Sequence, residues 1–400
     1  MSIRAGLEAL VAEARATGTL AGLPDRHFID GRWTAGAAHA SMPTFDPGTG
    51  AAFASFAAGD ARDVEGAVAA ARAALDGPWR RTTPAERGRI LQRTAALIRE
   101  HADRLSVVEA LDSGKRLVEA QGDVASAARA FEYYAGACDK LHGDTIPLGE
   151  NYFAYTIHEP VGVAAQIVPW NYPLATTARG LAPALAAGCA VVVKPAEQTP
   201  LTALLLAELI AQAGAPAGVC NVVTGTGTAA GAPLVAHPGV DHITFTGSVA
   251  TGIGVMKSAA DHVARVVLEL GGKSPIVVLA DADLAQVVEG TLGAIFENAG
   301  QICSAGSRLV VARSIHAELV ERLAARADAM TIGHGLGNPD LGPVNSPAQL
   351  ARIEGYVDRA RGRGVRVAAG GARRAGAGGA GGWFYAPTIL DDVALVDEIV

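Results

Sequence analysis

Apolar residues recur three or four places apart, with charges between them, over residues 62–75, 84–105 and 117–141, and this spacing predicts three amphipathic helices in the first third of the chain. The second opens on Pro84-Ala85-Glu86-Arg87, a favourable start because proline is tolerated in the first helical turn. The pattern then changes. Residues 152–157 alternate in the manner of a strand, and residues 161–168 form an apolar, β-rich run. From there strands at 161–168, 190–193, 219–223 and 242–246 are separated by helices at 174–187, 201–213, 228–236 and 249–259. Short apolar strands alternating with helices predict an α/β fold with a parallel sheet covered on both faces. Such sheets commonly bind nucleotides at the carboxyl ends of their strands. A second α/β unit begins near Gly271, with strands at 276–279 and 308–311 and helices at 284–295 and 316–327. The Gly/Ala-rich stretch 368–382 reads as a flexible surface hairpin tip.

Composition narrows the class. The 400 residues are enough for about two or three domains, and 50% hydrophobic content is ample for large cores. A net charge of -7, from 33 basic and 40 acidic residues without long like-charge runs, argues against nucleic acid or an anionic membrane as partner. A small molecule is the default substrate. Cys138, Cys189, Cys220 and Cys303 lie far apart, with neither the paired spacing of a metal site nor the density of a disulfide framework, so no metal and a reducing cytoplasm are expected. Arg4, Glu8, Glu13 and Arg15 interrupt the N-terminal apolar pattern, which reads as a short amphipathic helix and not a secretory signal. Residues 209–236 carry no charge, yet Gly, Pro, Thr and Asn break them too often for a membrane helix.

Two residues suggest covalent chemistry. Glu269, in Leu268-Glu269-Leu270-Gly271-Gly272-Lys273-Ser274-Pro275, and Cys303, in Asn298-Ala299-Gly300-Gln301-Ile302-Cys303-Ser304, are read as lying in glycine-bracketed turns, where side chains reach a substrate. A free cysteine alone is more often a small buried hydrophobe. The turn Pro169-Trp170-Asn171-Tyr172-Pro173 would set the Asn171 amide at a strand end, facing a developing oxyanion or merely capping a turn. In Val193-Lys194-Pro195-Ala196-Glu197, Lys194 suits ribose hydroxyls or phosphate, and Glu197 accepts from a 2′-hydroxyl while repelling a 2′-phosphate, which favours NAD over NADP. The segments Gly225-Thr226-Gly227-Thr228-Ala229-Ala230-Gly231 and Phe245-Thr246-Gly247-Ser248 are weak dinucleotide signals by themselves. The second stands between a strand and a helix, whose N-terminal amides and the Ser248 hydroxyl suit a pyrophosphate.

Taken together, Pro-Trp-Asn-Tyr-Pro at 169–173, Lys-Pro-Ala-Glu at 194–197, Phe-Thr-Gly-Ser at 245–248, Leu-Glu-Leu-Gly-Gly-Lys-Ser-Pro at 268–275 and Gly-Gln-Ile-Cys at 300–303 resemble the aldehyde dehydrogenase superfamily, from about His27 onward. The resemblance implies an aldehyde dehydrogenase-like fold: an N-terminal helical part of the cofactor-binding domain (1–140), a small oligomerisation hairpin (141–159), a Rossmann-like parallel-sheet NAD-binding domain (160–270) and an α/β catalytic domain (271–400). It implies oxidation of an aldehyde to a carboxylic acid with NAD, NADP being possible. Cys303 would be the nucleophile, Glu269 the base that activates water against a thioester, and Asn171 the oxyanion donor. Ile167, Pro169, Trp170, Lys194, Glu197, Gly227, Gly231, Phe245, Thr246, Gly247, Ser248, Leu270 and Gly271 would bind the cofactor. A homodimer or homotetramer is implied for the full-length form.

The family's Glu-x-Phe-Gly-Pro segment would follow Val400, so weaker nicotinamide positioning and exposed apolar surface are expected of these 400 residues. Arg179, on the helix after Asn171, either favours an anionic substrate tail or is a structural ion-pairing residue. Two alternatives stand beside hydrolytic oxidation: acyl transfer to coenzyme A, which gains nothing from Glu269, and a catalytically silent cofactor-binding protein of the same fold.

Overall fold

A computed structural model describes residues 3–374 and 381–400. The chain divides into two units: Met1–Thr44, Ala54–Val108 and Gln121–Glu269 form the first, and Phe45–Phe53, Glu109–Ala120 and Leu270–Val400 the second. Segments 45–53 and 109–120, which the sequence places with the N-terminal part, thus pack with the second unit.

The first unit is built on a seven-stranded sheet. Its strands lie in the order Arg265–Leu270, His242–Gly247, Val163–Ile167, Ala190–Lys194, Cys220–Val222, His27–Ile29, Arg32–Thr34. Val163–Ile167 runs parallel to both of its neighbours, and Ala190–Lys194 runs parallel to Cys220–Val222. Every residue of Ala190–Lys194 is buried, which requires cover on both faces and explains why the strand is an unbroken apolar run. Helices Ala61–Asp76, Pro173–Ala186 and Leu201–Gln212 pack on this sheet. Local chemistry starts the helices where they start: Thr83 and Glu86 form a reciprocal capping box before Pro84–Glu100, a device worth about 1 kcal/mol.

Four expectations are corrected by this structure. The N-terminal part is not purely helical, since His27–Ile29 and Arg32–Thr34 form an antiparallel hairpin that extends the sheet through Phe28 and Val222. Its two-residue turn is Asp30-Gly31, with φ of 54° and 70°, the left-handed pair that such a turn demands. Glu269 lies on the edge strand Arg265–Leu270, not in a turn. The span 84–105 holds the helix Pro84–Glu100 and only the start of a second, Ala102–Ser113, with His101 between them. In 141–159 the short strands Thr145–Ile146 and Ala154–Tyr155 pair antiparallel, so the run 152–157 is mostly loop.

In the second unit Pro275–Val278 and Arg308–Val311 pair in parallel, with helices Leu284–Phe296 and His316–Asp328 on a core that includes Val278, Leu292, Leu319 and Leu323. Arg366–Ala369 pairs antiparallel with Ile389–Asp391, flanking the Gly/Ala-rich stretch, of which 375–380 lie outside the described residues. Among the described residues no helix is long and apolar enough to cross a membrane.

Candidate active site

The strand order of the first unit locates a binding edge. Counted along the chain from Val163, the five strands lie fifth, fourth, first, second, third across the sheet, so the winding reverses between His242–Gly247 and Val163–Ile167. Open α/β sheets bind ligands at the carboxyl ends on either side of such a reversal, because the connections leave it in opposite directions and open a crevice. The Pro169–Tyr172 turn follows one strand and the Gly247–Ser248 turn the other. Ile167 is in register with both Lys194 and Phe245, which sets three of the expected cofactor residues in one row.

Lys194 ends its strand only 3% exposed, with Nζ donating to Glu197 Oε2 at 3.1 Å. Burial lowers its proton affinity, and Glu197 partly opposes this. A Cβ at Gly231 would stand 3.7 Å from Lys194 Cδ, so the glycine segment reaches the same place. Gly227–Gly231 is a wide helical turn that runs on into Ala232–Val235, matching the helix expected over 228–236, and Thr226 Oγ1 caps it by accepting from the Ala229 amide at 3.1 Å. Ser248 caps Val249–Ala260 by accepting from the Thr251 amide at 3.2 Å, leaving an exposed N-terminus at the sheet edge. Asn171 is half-buried in its turn, beside the equally half-buried Pro169 and Trp170. The amide of Arg265 donates to the carbonyl of Asp241, so the edge strand starts level with its neighbour, and four residues further on the exposed Glu269 stands level with Thr246. Glu269 and Thr246 share a cleft of about 370 Å³ with Thr176, Gln166 and the exposed Arg179.

The second unit holds Leu270, Gly271 and Cys303. Cys303 is exposed, whereas Cys138, Cys189 and Cys220 are buried. Burial raises the pKa of all three buried thiols, that of Cys220 to about 12. Ahead of Cys303 the backbone turns through three consecutive left-handed residues, Asn298, Ala299 and Gly300, with φ of 47°, 55° and 77°. Buried hydrogen bonds hold this turn: the Asn298 amide donates to Glu119 Oε1 at 2.9 Å, and Gln301 Nε2 donates to the Asn298 carbonyl at 2.9 Å. Gln301 Oε1 in turn accepts from the Asn345 amide at 2.9 Å. A Cβ at Gly272 would come within 2.9 Å of the Cys303 carbonyl oxygen, so only glycine lets the end of the Leu-Glu-Leu-Gly-Gly motif approach the cysteine loop this closely.

Residues 33–400 match the family described as "Aldehyde dehydrogenase family". The chain is 44% identical over 371 residues to the mitochondrial aldehyde dehydrogenase of Equus caballus, covering 92% of this chain and 73% of that one. The chain belongs to the aldehyde dehydrogenase family. It is an NAD(P)-dependent oxidoreductase acting on aldehydes, with an α/β fold on a parallel-sheet core. Among solved structures, the NAD+ complex of an aldehyde dehydrogenase from Bacillus cereus matches 100% of this chain and 79% of that one, with a TM-score of 0.91 and 38% identity. Betaine aldehyde dehydrogenase from Staphylococcus aureus, in complex with NAD+, covers 95% and 76%, with a TM-score of 0.93 and 37% identity.

For an aldehyde dehydrogenase, the edge of the first unit offers a dinucleotide a fitting set of groups. Gly227 is open, with nothing within 4 Å of a Cβ built there; Lys194 and Glu197 supply a buried donor and an acceptor; and a capped helix N-terminus faces outward. Asn171 and Glu269 fall in the first unit and Cys303 in the second. Glu119, Asn298, Gln301 and Asn345, which hold the cysteine loop, escaped the sequence reading. Asn298 and Gln301 sit within the quoted motif, but Glu119 and Asn345 lie 179 and 44 positions from their partners and give no local signal. Elsewhere in the second unit the ligand atoms of His316, Asp391 and Asp392 lie within 4.8 Å of one another, but Asp391 is already engaged by Arg366 and His316.

Proposed function

We propose that the chain oxidises an aldehyde to the carboxylic acid with NAD as the preferred cofactor, using Cys303 as nucleophile, Glu269 as base and Asn171 as oxyanion donor. The observation that carries this assignment is the exposed Cys303 thiol, on a loop fixed by buried hydrogen bonds, in a chain whose other cysteines are buried. As thiolate, the Cys303 sulfur bonds to the aldehyde carbon and the carbonyl electron pair moves onto oxygen. The Asn171 side-chain amide and the Cys303 backbone N–H hold that oxygen. NAD, when bound, supplies the acceptor for the hydride lost from the same carbon. The carbonyl reforms, and Cys303 is left carrying the acyl group as a thioester. Glu269 then takes a proton from water, the water oxygen attacks the acyl carbon, and the carbon–sulfur bond breaks to return the thiolate and release the acid.

In this proposal Lys194 and Glu197 take the adenosine ribose, and Glu197 disfavours a 2′-phosphate. Ser248 and the amides that follow it take the pyrophosphate. Ile167, Pro169, Trp170, Gly227, Gly231, Phe245, Thr246, Gly247, Leu270 and Gly271 complete the cofactor surface. Arg179 lines the same cleft as Glu269, which favours an aldehyde with an anionic tail. The exposed Leu148, Tyr152, Phe153, Tyr155 and Ile157 of the 141–159 hairpin support assembly as a homodimer or homotetramer. A cytoplasmic location accords with four free cysteines.

The test is NADH formation from a panel of aldehydes with and without coenzyme A. Turnover without coenzyme A is the expected result. Dependence on coenzyme A would replace hydrolysis with acyl transfer, and NAD binding without turnover would point to a silent cofactor-binding protein.

A further inference from the structure

The start of the helix Pro84–Glu100 is fixed to the amino ends of the large sheet. Trp79, in the short helix Pro78–Arg81 before it, donates from Nε1 to the Cys189 carbonyl at 3.0 Å, one residue ahead of the strand Ala190–Lys194. Arg87 donates from Nε to the Ala186 carbonyl at 3.1 Å and from Nη1 to the Thr82 carbonyl at 3.0 Å. The turn 213–216 lies at the same end of the sheet, because it leads from the helix Leu201–Gln212 into the strand Cys220–Val222. Between these segments opens a cleft of about 620 Å³, within the size range of small-molecule sites. It stands at the opposite end of the strands from the carboxyl edge assigned to NAD.

The lining of this cleft inverts the charge of the chain, which is -7 overall. Arg81, Arg89 and Arg93 face it, with Glu86 as its single acid. Arg89 and Arg93 stand one turn apart on one face of their helix. Among the described residues none of these three arginines makes an ion pair or hydrogen bond, whereas Arg99, further along the same helix, pairs with Glu132 at 2.7 Å. Glu86 is engaged elsewhere: its Oε2 accepts from the Thr83 amide at 2.8 Å and from the Thr83 hydroxyl at 2.7 Å. Three like charges around one opening repel, and each guanidinium keeps its forked donors for an oxyanion from outside. Pro78, Ile90 and Pro216 give the cleft an apolar wall. We propose that this cleft is an anion site separate from the cofactor edge, taking a small ligand that carries phosphate groups: Arg81, Arg89 and Arg93 grip the phosphate oxygens, and the apolar wall takes any attached ring. A phosphate matches the fork of each guanidinium, and a multiply charged one answers three cations where a lone carboxylate answers one. Inorganic pyrophosphate and a nucleoside diphosphate offer the same groups to the arginines, and only the second has a ring for the wall. The site stands independently of the assignment of the carboxyl edge to NAD.

The test titrates inorganic pyrophosphate, ADP and adenosine into the purified chain by calorimetry, for wild type, Lys194→Met, Arg89→Gln and the triple variant Arg81→Gln, Arg89→Gln, Arg93→Gln. The substituted arginines are exposed, so the variants are expected to melt with the wild type. Arg89→Gln is expected to weaken both phosphate ligands about tenfold and the triple variant to abolish their binding at this site, while Lys194→Met leaves it unchanged. Pyrophosphate bound as tightly as ADP identifies free polyphosphate as the ligand, and tighter ADP identifies a nucleotide; either result supports the site. Adenosine bound as tightly as ADP would overturn it, as would the absence of binding by both phosphates at millimolar concentration. Binding lost in Lys194→Met and kept in the triple variant would put the phosphates at the cofactor edge and overturn it equally. Should the triple variant not fold, unchanged affinity in Arg89→Gln decides against the site.

Discussion

The carboxyl edge of the large sheet and the loop before Cys303 are built by opposite means. At the edge, regular parallel pairing puts Ile167, Lys194 and Phe245 in one row, and Lys194, the proposed cofactor residue, is almost wholly buried. In the cysteine loop the backbone is irregular, with three left-handed residues in succession, and Cys303, the proposed nucleophile, is exposed. The edge needs only extended strands and a winding reversal. The loop needs a conformation that costs a non-glycine residue roughly 1–2 kcal/mol, as at Ala299, and is held by Glu119, Gln301 and Asn345. The proposed function thus entrusts binding to rigid register and chemistry to a braced, reachable thiol. Changes at the edge should move cofactor affinity, and changes in the loop should move turnover.

The sharpest break is Cys303→Ser, expected to lower kcat by about a thousandfold or more while leaving the NAD dissociation constant and melting temperature near wild type. Weakened NAD binding in that variant would erase the division. Glu269→Gln is expected to lower steady-state turnover by about 10²–10⁴-fold but to retain a first burst of NADH in stopped-flow, because hydride loss precedes hydrolysis. Loss of the burst would move Glu269 to an earlier step. At the edge, Lys194→Met should raise KM for NAD about 10–100-fold, by loss of a charge-assisted donor, with kcat within a few-fold. Gln301→Leu strips the Asn345 amide of its acceptor and is expected to cost about 1–3 kcal/mol in urea unfolding. Smallest is Arg179→Ala, expected to raise KM about tenfold for aldehydes with an anionic tail and to leave neutral ones unchanged.

Much of the sheet was legible because strands buried on both faces, such as Ala190–Lys194, are short apolar runs between helices. Arg265–Leu270 was missed because it lies at the edge with alternating burial, and the exposed Val267 blurs its polar face. His27–Ile29 and Arg32–Thr34 are only three residues each, although Asp30-Gly31 carried the hairpin signal. The glycines around Cys303 marked its loop, and the structure leaves the thiol exposed. The braces were illegible for a physical reason: a hydrogen bond from Asn298 to Glu119 across 179 positions leaves no periodicity.

The central claim is that the acyl group passes through the Cys303 sulfur. Mass spectrometry of peptides from Glu269→Gln, quenched in acid after mixing with an aldehyde and NAD, tests it directly. An acyl mass on the Cys303 peptide alone is the expected result. Formation of NADH with the acyl mass on another residue, or on none, would contradict it.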